Sequence, residues 1–171
     1  MPGYKGHIVG ATAAAAVYAG ALSLAPAGVL GTNHHVVSDV QLLVGLFVIA
    51  ILFGLFPDID TNSKGQDIFY GLAFIADIFL LYNGRITAAA FLGLIAMLPI
   101  MGHHRGWTHS KPAMILVPLP ILVVPYLYNR TYLDLALVIY GAALVGYFSH
   151  LLLDGKITKY IHVKGGHQAY E

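Results

Sequence analysis

Long apolar runs separated by short polar connections organise the whole chain. Six runs stand out, at residues 8–30, 39–56, 67–82, 86–101, 113–128 and 133–153, each close to the about 20 residues a helix needs to cross a typical bilayer. The fourth and fifth are short, which predicts a thin or tilted bundle, or one re-entrant segment. Helix-start chemistry marks several boundaries. Ser38 with Gln41, Ser63 with Gln66 and Thr131 with Asp134 fit the capping box or its acidic variant at the openings of the second, third and sixth runs. Pro112 suits the first turn of the fifth, where its missing N–H costs nothing. Pro118, Pro120 and Pro125 predict that this helix is kinked or partly unwound, with its freed carbonyls satisfied by neighbours. Gly6, Gly10, Ala13, Ala14 and Gly20 give the first run a small-residue lining suited to close helix–helix approach. The pattern predicts an all-α, multi-pass transmembrane bundle of about six helices over residues 1–155, followed by a polar tail at 156–171.

Composition strengthens this reading. The 171 residues are 58% hydrophobic and only 10% charged, against roughly 25% charged in average soluble domains. That is too little polar sequence to clothe a soluble core. A net charge of +1 leaves no strongly basic face for nucleic acid. The absence of cysteine removes disulfides, thiolate ligands and thiol nucleophiles, so a transition-metal site has to use imidazole and carboxylate. Lys5 ahead of the first apolar run superficially resembles a signal peptide. The run is too long for that, which predicts a retained span.

Six crossings put the N-terminus, the connections 57–66 and 102–112 and the C-terminal tail on one side of the membrane. Lys5, Lys64, Arg105, Lys111, Lys156, Lys159 and Lys164 lie on that side, and Arg85 and Arg130 on the other. The positive-inside rule then predicts that both termini face the cytoplasm. The lysines of the tail suit contact with anionic lipid headgroups.

The polar chemistry gathers on the same side. His7 opens the first run, "FPDID" supplies Asp58 and Asp60, "HHRGWTHS" supplies His103, His104, Arg105 and His109, and "SHLLLDG" supplies His150 and Asp154. His150 and Asp154, four residues apart, project from one face of a helix. Pro57 is expected to end its helix and expose Asp58 and Asp60 in a loop. Gly106 permits a tight turn, Thr108 or Ser110 can cap the next helix, and Trp107 reads as an interfacial anchor. Together these residues predict a metal site with His7, Asp58, His104, His109, His150 and Asp154 as candidate ligands. That set is large enough for one or two ions, and two would be bridged by a carboxylate such as Asp58 or Asp154. Imidazole with carboxylate suits Zn, with Mn or Fe as alternatives. Water activated on the ion would attack an electrophile. Asp58 or Asp60 could take its proton and Arg105 could neutralise an anionic group through its guanidinium fork. A phosphoester such as a phospholipid is the natural substrate at a membrane face.

Gly6-His7, "PDID", "HRGWTHS" and "SHLLLDG" together resemble the YdjM-like family of inner-membrane, metal-dependent hydrolases, from residue 6 to about 155. His104, Arg105, Gly106, Thr108, His109 and Ser110 match its "HRG-x-THS" element. The resemblance implies a multi-pass helical protein, a divalent metal and hydrolase activity on an unassigned substrate. The chain is more distantly similar to the helical zinc-dependent phospholipase C and P1-type nucleases, but lacks their second downstream His-x-x-x-Glu. His103 has no place in the motif.

Other membrane hydrolases fit less well. His150 and Asp154 match the tail of the lipid-phosphate phosphatase pattern, but Ala143 and Leu144 stand where it needs Ser-Arg. Neither His-Glu-x-x-His nor Gly-x-Ser-x-Gly is present. A non-catalytic scaffold or accessory subunit with a structural metal is the main rival. Asp77, in the middle of the third run, keeps a metal transporter in view, although transport calls for polar residues at midplane depth on several helices. His34 and His35 lie on the opposite side and take no role.

Overall fold

The computed structural model describes residues 3–25, 39–60, 64–101 and 107–155, and among these all regular structure is helical. The helices are α1 (Tyr4–Leu24), α2 (Val40–Leu55), α3 (Lys64–Tyr82), α4 (Ile86–Met101), α5 (Lys111–Leu116), α6 (Pro120–Tyr128) and α7 (Leu133–Leu153), with 3₁₀ turns at Phe56–Asp60 and Arg130–Tyr132. Within the described residues each of the six apolar runs is helical, the fifth as two helices. Four stretches are long and apolar enough to cross a membrane: Tyr4–Leu24, Val40–Ile59, Lys111–Tyr128 and Arg130–Leu153. The third and fourth runs are less complete spans, since α3 carries Lys64, Asp67 and Asp77 and α4 has only 16 residues. They form a hairpin through Asn83 and Gly84, whose φ of 70° supplies the left-handed residue of the turn.

Helices α1, α2 and α7 pack into the tight centre of the molecule. Without a hydrophobic driving force in lipid, close van der Waals contact must hold such helices together. The sequence meets this with small residues inside and large ones outside. Ala11, Ala15 and Ala19 are buried along one stripe of α1, while Val9 and Val17 are exposed. Ala13 and Gly20, expected among the small residues at the helix interface, are exposed instead, because the stripe is set by His7 and continues at every fourth position. A Cβ on Gly54 would stand 2.7 Å from that of Ala11, and one on Gly146 would overlap the Ala50 carbonyl. Backbones therefore meet where the site is built.

Capping differs in detail from the sequence expectation. Ser38 and Ser63 lie outside the described residues. Asp39 caps α2 by accepting from the Leu42 N–H at 3.0 Å, while the Gln66 amide donates to the Ile59 carbonyl at 3.0 Å and ties α3 to the preceding turn. Thr131 is not a cap. Asn129 accepts from its N–H at 3.1 Å, and α7 begins after a 3₁₀ turn. Ser110 caps α5 through the Ala113 N–H at 3.2 Å, with Pro112 in the first turn as expected.

The proline-rich run breaks between α5 and α6, around Pro118 and Pro120. Leu119 N–H turns to Leu116 rather than to Ile115, and the hydroxyl of Tyr140 donates to the freed Ile115 carbonyl at 3.1 Å. A neighbouring helix thus satisfies the interrupted ladder.

Candidate metal centre

Four separated parts of the chain meet at one end of the central bundle: the start of α1, the Phe56–Asp60 turn, the 107–110 turn and the C-terminal end of α7. Pro57 does not release the chain into an exposed loop. It removes one N–H, and the tighter 3₁₀ hydrogen bonding carries the helix on for one more turn. Pro57 is fully buried and the Asp58 side chain is only 25% exposed. The backbone of Asp60 closes this turn. Its side chain, together with His103, His104 and Arg105, lies outside the described residues.

Asp58, His109, His150 and Asp154 each aim one donor atom at a common space and could hold a metal ion. His109 Nε2 stands 3.5 Å from Asp58 Oδ1 and 3.5 Å from Asp154 Oδ2. His150 Nε2 stands 3.6 Å and 3.4 Å from the same two oxygens and 3.3 Å from His109 Nε2. Most of these separations are long for hydrogen bonds. They are instead spacings of the kind found between donors that share one ion, since all four donor atoms lie within 4.8 Å of one another and zinc takes imidazole nitrogen and carboxylate oxygen together.

The imidazole tautomers point the same way. The Thr108 hydroxyl donates to the Pro57 carbonyl at 3.1 Å, so its oxygen accepts from His109 Nδ1–H at 3.3 Å. His150 Nδ1–H donates to the Gly54 carbonyl at 2.7 Å. With each Nδ1–H engaged in this way, a neutral imidazole presents its Nε2 lone pair to the other ring and to two carboxylates. A cation among these electron pairs would remove their mutual repulsion. Outer hydrogen bonds of this kind orient ligating histidines in metal sites.

The surroundings fix this geometry. Tyr147 is buried and its hydroxyl donates to the Thr108 carbonyl, tying the 107–110 turn to α7. Phe56, Ile59 and Leu151 fill the space beneath. Trp107 also packs partly against this core, so its body has a structural contact beyond an anchoring role at the membrane surface. Asp154 is 4% exposed and His150 fully buried, whereas Asp58 at 25% and His109 at 18% keep one side of the centre reachable from outside.

The His7 side chain is 2% exposed and stacks on His150 with ring centroids 3.8 Å apart. Its Nε2 faces the other oxygens of the carboxylates, 3.8 Å from Asp58 Oδ2 and 3.6 Å from Asp154 Oδ1. Five candidate ligands, His7, Asp58, His109, His150 and Asp154, are therefore brought together. Gly54 and Thr108 contribute as orienters. From the sequence Thr108 reads as a possible helix cap and a position of the family element, not as an orienter, and nothing marks Gly54, since a backbone carbonyl carries no side-chain signature.

The chain belongs to the YdjM inner membrane protein family, whose family model matches residues 1–160. No curated protein and no solved structure matches it. Membership agrees with the apolar helices: this is a membrane protein.

Proposed function

We propose that this YdjM-family protein is a metal-dependent hydrolase that cleaves a phosphoester, such as a phospholipid, at the cytoplasmic face of the membrane. The observation that carries the reading is the convergence of four donor atoms, two imidazole and two carboxylate, within 4.8 Å of one another and reachable from one side. Asp58, His109, His150 and Asp154 would hold the ion, with zinc favoured and Mn or Fe as alternatives. When bound, such an ion polarises a phosphoryl oxygen and lets water ionise near neutral pH.

The chain's own groups would do the rest. Thr108 and the Gly54 carbonyl keep the two imidazoles in the ligating tautomer. Asp60, a carboxylate outside the four-donor set, takes a proton from the attacking water. The water oxygen bonds to phosphorus, the ester P–O bond breaks, and the departing alkoxide is protonated to the alcohol. Arg105 pairs with the anionic phosphoryl oxygens through its fork. The cytoplasmic orientation is supported by seven of the nine Lys and Arg residues falling on the side of the site.

A second reading, an ion that only braces the bundle, is favoured by the four protein donors, because these fill a tetrahedral zinc shell. Metal analysis and turnover separate the two. Purified without a histidine tag, the protein should carry stoichiometric divalent metal and release phosphate or headgroup from anionic phospholipid vesicles. Arg105→Ala should keep its metal while losing about 10²–10³ in turnover, the scale for removing a charge-stabilising donor. Metal-loaded wild type that turns over no phosphoester would leave the bracing role. Absence of metal from the folded, metal-supplied protein would sink both.

A further inference from the structure

We infer that the centre has a second cation position, held by His7 Nε2, Asp58 Oδ2 and Asp154 Oδ1, on the carboxylate oxygens that the first position does not use. It rests on the reading that Asp58, His109, His150 and Asp154 hold an ion, and adds a neighbour to it.

Three observations point to it. Each carboxylate is split between two sets of partners. Asp58 Oδ1 and Asp154 Oδ2 face His109 and His150, while Asp58 Oδ2 and Asp154 Oδ1 face His7 at 3.8 and 3.6 Å. Carboxylates that present one oxygen to each side are the bridging ligands of two-metal sites, in which the ions sit roughly 3.5–4 Å apart. The Asp154 side chain is 4% exposed, yet its Oδ1 has no hydrogen-bond partner among the described residues. A charged oxygen buried without a partner is costly, and a cation removes that cost. Finally, the His7 ring is itself buried and held flat against His150, 18° from parallel. Its Nε2 is thereby directed at Asp58 Oδ2 and Asp154 Oδ1, not at the oxygens that face His109 and His150.

The two positions differ in chemistry. The first has four protein donors, with Asp58 and His109 partly exposed on one side. The second has three, the pattern that leaves a coordination position open to water or substrate. His7 would thus be a ligand of the exchangeable ion, while His109 and His150 hold the permanent one. Affinity should differ as well. His109 and His150 have their Nδ1–H groups fixed by Thr108 and Gly54, but His7 Nδ1 has no hydrogen-bond partner among the described residues. Loss of such an outer partner typically weakens metal binding by about 10–100-fold, so the second ion should leave first.

The test uses the full chain in detergent, loaded with Mn(II), with metal counted by mass spectrometry and spin coupling read by electron paramagnetic resonance. Wild type should bind about two ions with an exchange-coupled signal, falling to one uncoupled ion under a mild chelator, as expected for a bridged pair. His7→Ala, with His7→Gln as the milder variant, should bind one ion and give only the uncoupled signal. One uncoupled ion in wild type even under excess Mn(II) would overturn the second position and leave the first, and with it the hydrolase reading, standing. Two coupled ions in a folded His7→Ala would also overturn it. So would loss of all metal from both folded variants, since His7 would then serve the first position. No metal in folded wild type would overturn this inference and the proposed function together. Should neither variant fold, the wild-type signal and its response to chelator decide the matter.

Discussion

Two acids in different helices, each with a buried carboxylate oxygen, make a telling contrast. Asp154 closes α7 among three imidazoles and a second carboxylate, all brought to one end of the bundle. Asp77 sits in the middle of α3, beside Tyr70, Gly71, Leu92 and Gly93 in a groove between α3 and α4 of about 520 Å³. Each has one buried carboxylate oxygen without a hydrogen-bond partner among the described residues. The Tyr70 hydroxyl on the same groove donates to the Ala96 carbonyl. Titratable side chains converge around Asp154, but the described lining of the Asp77 groove holds no second acid, imidazole or cation. An isolated intramembrane carboxylate invites a functional reading. A site, however, is made by convergence, and a transport path through Asp77 would need partners at its own depth.

Substitutions can break or sharpen this contrast. The largest effect should come from His150→Ala and Asp154→Ala, which remove donors outright. Each should weaken metal binding by more than about 100-fold, beyond the 10–100-fold expected for an outer partner, in a competition titration against a chelator. Retained affinity in both would mean that the four-donor set is not the ligand set. Next comes Gly146→Ala. Its methyl would overlap the Ala50 carbonyl, so thermal unfolding in detergent should show about 1–3 kcal/mol of destabilisation, the usual cost of overpacking. An unchanged midpoint would show that α2 and α7 can separate without penalty.

Thr108→Val should be gentler on folding and felt at the metal. It removes the acceptor for His109 Nδ1–H and should lower affinity by about 10–100-fold, whereas Thr108→Ser should restore most of it. An equal loss in both variants would assign Thr108 to packing alone. The smallest effect is expected for Asp77→Asn. Metal content should stay at the wild-type level, with stability within about 1 kcal/mol, since an amide in place of a lone buried acid removes a desolvation cost while adding donors. Loss of metal on that substitution would erase the distinction between the two regions and return Asp77 to the functional site.

The sequence determined a good deal by itself. Apolar runs of near-spanning length required helices in a membrane, and Pro118 with Pro120 required a break in the fifth. Counting six crossings predicts His7, Asp58, His109, His150 and Asp154 on one side, and the structure brings these five side chains together. Boundary details were less legible: Asp39 rather than Ser38 caps α2, and Asn129 displaces Thr131, because neighbouring polar residues compete for the same cap and only the backbone path chooses between them.

The tertiary structure alone decided which face of each helix points inward and which oxygen of each carboxylate meets which imidazole. In α1, apolar residues occur all round the helix, so hydropathy could not separate the buried Ala11 stripe from exposed Ala13 and Gly20. Close backbone packing against α2 and α7 makes that choice. The 3₁₀ continuation past Pro57 and the Thr108 and Gly54 hydrogen bonds are fixed only when those helices meet. From that meeting come the close approach of four donor atoms and the placement of His7 Nε2 against Asp58 Oδ2 and Asp154 Oδ1. A linear pattern records which donors are available, but coordination depends on the directions and distances that packing sets.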